Sequence, residues 1–294
     1  MDMKQIFTDQ KSGITQSKHQ FWRYLLVTVV IIFVTLISQT ILIFLASIFE
    51  GNFDVMQYSP LTLLWVSMLP FLVLLITLLI GIRVIHQQPL KTVFTQNDSF
   101  RKKLALKAFL IWFLLSGLSD IVLAILQPGN YSFTFEVGSF ITYMLLAIFL
   151  LFIQITAEEV LFRHYFLFGL LRFFRKPWVA ISAQALLFGL LHGANPEVTA
   201  YGLLTTMPYY IGMGLILGWL TIKSKGLEIA LGLHFANNLY ATSMVTFKES
   251  AIPSPALFTI NEYQPEIGLL IFLIMIFITS LVLVPNLQKP MEII

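Results

Sequence analysis

The chain has no cysteine among its 294 residues, so disulfides and thiolate chemistry are excluded and the redox compartment leaves no mark on it. It is also poor in charge. Only 11% of residues are Asp, Glu, Lys or Arg, against about 25% in an ordinary soluble domain. No repeat period and no low-complexity tract is present, and no linker is long enough to separate two domains. What is abundant is apolar: 57% hydrophobic residues and a mean hydropathy of +0.84. These properties predict an all-α polytopic membrane bundle in the lipid bilayer.

Apolar segments fall at 25–48, 61–82, 108–126, 139–157, 178–192, 201–222, 227–246 and 267–284, which predicts about eight transmembrane helices. The fifth is short, and the fourth is expected to run on to about Leu171. The first apolar run exceeds the ~7–15 residues of a signal-peptide core, so it is read as a retained span. Residues 1–22 form a polar tail and 23–137 the N-terminal membrane helices. Residues 138–246 carry the motifs, and 247–294 hold an external loop, the last helix and a C-terminal tail. The final residues, KPMEII, show no prenylation signal. In the loop 248–266, two X-Pro steps at Pro253 and Pro255 argue against helix.

Sixteen of the eighteen basic residues fall into segments predicted to share one side, at 4–23, 83–107, 172–176, 223–225 and Lys289. The positive-inside rule then places both termini in the cytoplasm. The net charge of +3 reflects this bias and implies no nucleic-acid partner. The basic run 101–107 is expected to meet lipid headgroups. Gly214 and Gly218 form a small-residue pair suited to close helix packing.

One stretch breaks the apolar pattern. ITAEEVLFRHYF, residues 155–166, puts Glu158, Glu159 and Arg163 inside the fourth span. A charge at mid-bilayer costs about 2.5–3.5 kcal/mol, so pairing is required. Glu159 and Arg163 are four apart and share a helix face, whereas Glu158 points about 100° away. Arg163 is therefore expected to hold Glu159 and leave Glu158 for general-base work. Two histidines lie in other apolar segments: His192, one helical turn after Phe188, and His234, one turn before Asn238. At ~1.5 Å per residue, Glu158, His192 and His234 can meet within the bilayer. Access is expected from the cytoplasmic side. Asn237, offset around the helix, is expected outside the cluster. His19 and His86 are read as solvated or interfacial, His164 as reaching a neighbouring helix, and Asp120 as a hydrogen-bonded carboxylate near an external helix end.

A base, a water and an oxyanion hole suffice for peptide-bond hydrolysis. Glu158 with His192 can deprotonate a water, and His234 with Asn238 can donate to an oxyanion. His and Glu are also zinc ligands, so the residues alone leave metal-activated and carboxylate-activated water both open. Buried Glu and His side chains serve proton relays and transporters too, but the paired broken helices expected of such a protein are not evident.

EEVLFR (158–163), FGLLH (188–192) and HFANN (234–238) stand in the order EExxxR, FxxxH, HxxxN. This arrangement resembles the CPBP family of intramembrane proteases. That family includes CAAX-processing endopeptidases of the Rce1 type and bacterial Abi proteins linked to bacteriocin maturation or self-immunity. The resemblance covers about 155–240 and implies a protease core over 138–246. It implies that Glu158 and His192 activate water and that His234 and Asn238 stabilise the oxyanion. Glu159, Arg163 and Phe188 would support them. His164 departs from the pattern, since many members have Gly there. The implied substrate is a membrane-associated peptide: a leader or pheromone precursor, a membrane-protein tail or a CAAX-like segment. The alternative is a non-catalytic protein of bacteriocin self-immunity or of regulation of a membrane partner.

Overall fold

A computed structural model describes residues 17–287. The two tails, with Lys4, Lys11 and Lys289, lie outside the described residues. The apolar segments become long helices, because a bilayer core offers the backbone no other hydrogen-bond partners. They are α1 (Phe21–Glu50), α2 (Pro60–Val84), α3 (Lys102–Leu126) and α4 (Val137–Glu159). A seven-residue π-helical stretch, Val160–Phe166, leads from α4 without a break into α5 (Leu167–Phe174). Then come α6 (Pro177–Leu191), α7 (Leu203–Ser224), α8 (Glu228–Ser243) and α9 (Pro265–Leu283). The fourth apolar segment is thus one rod of 38 residues, Val137–Phe174.

Six of these rods are long and apolar enough to cross a membrane, which makes the chain a multi-pass membrane protein. The expected count of eight differs because α6 has 15 residues and α8 only 16, too short to span alone. α8 is mostly buried and carries His234 and Asn238, whereas α6 keeps an exposed apolar face and ends at His192. Helix starts follow local chemistry. Pro60, Pro177 and Pro265 occupy first-turn positions, where the missing N–H costs nothing. The Ser59 hydroxyl accepts from the Thr62 amide, and the Glu136 carboxylate accepts from the Gly138 and Ser139 amides.

The α4 rod is the most buried of the six. It packs on α2 and α8, while α8 lies along α3 and α7 along α6. Gly214 is required for the last pair: a Cβ there would meet the Ala185 backbone at 2.7 Å. The glycine pair thus serves close helix packing.

The basic residues of the helix ends share one face. There Arg101 clamps Glu228 at the start of α8, with Nη2–Oε2 at 3.0 Å and Nε donating to Oε1 at 3.2 Å. Arg101 is therefore committed to a protein partner rather than to lipid, while Lys102, Lys103 and Lys107 stay exposed. His86, read as solvated or interfacial, is not solvated: it is buried at a helix end, with Nδ1 on the Lys18 carbonyl at 2.8 Å and Nε2 on the Tyr165 hydroxyl at 3.2 Å. His19 is half-buried against Tyr24.

The opposite face carries a small sheet that the apolar pattern did not announce. β1 (Tyr131–Phe133) pairs antiparallel with β3 (Phe258–Ile260), and β2 (Val245–Phe247) pairs parallel with β3. Tyr131 stands opposite Ile260, and Val245 opposite Phe258. Pro253 and Pro255 precede β3 in a non-helical segment, in line with expectation.

Candidate active site

The motif residues converge where α4, α6 and α8 meet. Glu159 and Arg163 are both fully buried, with Oε1–Nη1 at 3.3 Å. Arg163 also lies over the Phe188 ring, 4.3 Å from its centre, so the cation rests against an aromatic face. Glu159 has a second partner, because the same Oε1 lies 2.7 Å from His234 Nδ1. His234 thereby receives a fixed ring orientation. Its Nε2 faces Glu158 Oε2 at 3.7 Å.

Glu158 points away from Arg163, as the helix geometry requires, and lines a cavity of about 640 Å³. Its Oε1 accepts from Gln154 Nε2 at 2.6 Å, and its Oε2 has no hydrogen-bond partner. Gln154 was not singled out in the sequence, although it sits one turn before Glu158 on the same face. The Gln154 Oε1 accepts from Asn238 Nδ2 at 3.3 Å, which ties α4 to α8. Asn237, expected outside the cluster, belongs to it. Its Nδ2 donates to Asn238 Oδ1, and its Oδ1 accepts from Trp112 Nε1 at 3.2 Å and Tyr209 O–H at 2.8 Å. The reason is tertiary: α3 and α7 bring Trp112 and Tyr209 to the side of α8 on which Asn237 lies.

His192 caps α6 and is half-buried on the cavity wall. Its Nδ1 lies 2.7 Å from the Phe188 carbonyl oxygen. A carbonyl only accepts, so Nδ1 donates in this contact and Nε2 is the ring nitrogen left over for the cavity. The ring is held between Phe188 and Tyr210, with centroids at 4.3 and 4.4 Å. No hydrogen bond joins His192 to Glu158 among the described residues. The two share the cavity wall instead. His164 lies on the far side of the rod, next to Gln88 and Phe168, and does not narrow the cavity. Asp120, also on the wall, accepts from the Tyr131 hydroxyl at 2.7 Å.

The cavity does not open toward the basic face as expected. Its wall continues to Gln127, Asn130, Ala251, Glu262 and Gln264, at the end of the bundle that carries the sheet. No described residue of the basic face lines it. The reason is packing: beyond Glu158 toward that face, the buried Arg163, Tyr165 and Leu167 fill the rod's surroundings. Sequence depth alone set how far each residue lies along its helix, not which end of the bundle is closed.

Zinc ligation requires three or four converging side chains. Among the described residues no three His, Asp or Glu groups converge in that way. Glu158 and His234 face each other, and the Phe188 ring neighbours both His192 and His234. The arrangement does not fit a closed zinc site.

The chain is a helical, multi-pass membrane protein whose buried Glu158 and His234 meet Asn238 and His192 on the wall of one cavity. The family model described as "Type II CAAX prenyl endopeptidase Rce1-like" matches residues 138–240. The Bacillus subtilis (strain 168) protein named "Uncharacterized protein YyaK" is 31% identical over 209 residues, covering 70% of each chain. The chain belongs to this Rce1-like, or CPBP, family. No solved structure matches it.

Proposed function

We propose that the protein is an intramembrane endopeptidase of the cell membrane that hydrolyses a peptide bond of a membrane-associated peptide or protein. The observation that carries this reading is Glu158 on the cavity wall, with Gln154 fixing one carboxyl oxygen while the other, 3.7 Å from His234, has no hydrogen-bond partner. A water bound there gives its proton to Glu158, while Nε2 of His192 orients it. The resulting hydroxide attacks the carbonyl carbon. One Asn238 N–H is used by Gln154, and the second is available to the oxyanion. His234, whose ring Glu159 holds through Nδ1, turns Nε2 toward the same point and completes the oxyanion site. Glu158 then returns the proton to the leaving amine. Glu159 and Arg163 act as positioning residues: they hold the His234 ring and the direction of the α4 rod.

The test is a peptidomic comparison of membranes from cells producing the wild type or Glu158→Gln at matched level. Peptides present with the wild type and absent with the variant establish the activity and identify the substrate. Identical profiles overturn the protease reading in favour of a binding or regulatory role.

A further inference from the structure

The cavity wall carries four carboxyl groups, on Asp120, Glu158, Glu197 and Glu262, and no lysine or arginine. Three of the four are accounted for. Asp120 is held by Tyr131, Glu158 is poised for water, and Glu262 is exposed to the surroundings. Glu197 is not explained by the reaction. It lies in the short helix Pro196–Tyr201 between α6 and α7, is 8% exposed, and lines the cavity. Two donors, the Tyr210 hydroxyl and Asn195 Nδ2, converge on its Oε1. Its Oε2 is buried and has no hydrogen-bond partner. The same Tyr210 stacks on His192 with an interplanar angle of 27°.

A buried carboxyl oxygen without a donor is costly, and a ligand that supplies one removes the cost. The donor that best fits a wall with carboxyl groups and no cation is itself cationic. We propose that Glu197 is a specificity-determining residue that receives a primary ammonium group of the substrate, one tyrosine away from His192. The ammonium belongs to a lysine side chain or to a free peptide N-terminus. This inference rests on the endopeptidase reading only in taking the ligand to be a peptide.

Binding to full-length Glu158→Gln protein in lipid nanodiscs tests it without requiring hydrolysis. The probes are synthetic 12-residue Ala/Leu/Phe peptides in three forms: N-acetylated with one internal lysine, free at the N-terminus without lysine, and N-acetylated without lysine. One or both ammonium peptides are expected to bind roughly tenfold tighter than the uncharged one, and which of them does names the source. Glu197→Gln in the same background is expected to remove the preference, whereas Glu262→Gln retains it. Equal binding of all three peptides, or binding of none, overturns the proposal. So does a preference that survives in Glu197→Gln. If Glu197→Gln does not fold, Glu197→Asp and the peptide comparison on the parent still decide. A preference for ammonium peptides without cleavage by the wild type removes the endopeptidase reading and leaves this one. Cleavage without preference does the reverse.

Discussion

At the scale of single residues, the proposed mechanism divides the motif into groups that work and groups that hold. Glu158→Gln and His192→Phe are each expected to abolish cleavage while leaving the amount of folded protein unchanged, as quantitative immunoblotting beside a cleavage assay will show. Glu159→Ala or Arg163→Ala strands a fully buried charge, a loss of about 3–5 kcal/mol. These variants should accumulate less protein and melt lower in a detergent thermal-shift assay. On the basic face, burial pulls His19 down from its ordinary 6.5 to about 3, helped by nearby Arg172 and His86. Burial likewise lowers His86. Both rings are therefore packed in neutral form, and an unfolded segment takes up their protons first. Their stabilisation is complete above about pH 6.5 and declines as the pH falls below it, toward 3 for His19. Amide exchange over residues 18–24, corrected for intrinsic rate, should rise between about pH 7.5 and about pH 5. His19→Gln with His86→Gln should flatten that rise.

At the scale of elements, two close contacts position the site. A side chain at Gly232 would meet the Ala105 carbonyl oxygen, so α8 can lie against α3 only through a glycine. Gly232→Ala, two residues before His234, is expected to cost about 1–3 kcal/mol and to displace the ring that faces Glu158. A lowered melting temperature, with a fall in kcat larger than the change in KM, is the outcome to look for. Arg101 and Glu228 fix the start of the same helix. The i,i+4 pairing of Glu159 with Arg163 and the small-residue faces were legible in the sequence, because helix geometry is local. The Asn237 network was not, since its partners come from α3 and α7.

At the scale of the whole molecule, charge distribution and cavity point in opposite directions. The basic helix ends share one face, and the cavity opens at the other. With the basic face cytoplasmic, the cavity mouth faces the outer side of the membrane. The absence of native cysteine makes this directly testable. Ala251→Cys is expected to react with a membrane-impermeant maleimide in intact cells, and Lys91→Cys only after permeabilisation. The reverse pattern would invert the orientation.

The sequence by itself determined the solvent, the helical rods and the residues with unusual chemistry. Each of these follows from composition and from spacing along one helix, where 3.6 residues per turn relates neighbours directly. It therefore set Glu159 against Arg163 and turned Glu158 away. Tertiary structure alone decided that Glu159 also grips His234 and that Gln154 bridges Glu158 to Asn238. It alone also brought Tyr210 to join His192 to Glu197, and left the cavity open away from the basic face. All of these depend on which helices touch and at what height. In an apolar bundle that is settled by close packing between segments far apart in the chain, and no local pattern encodes it.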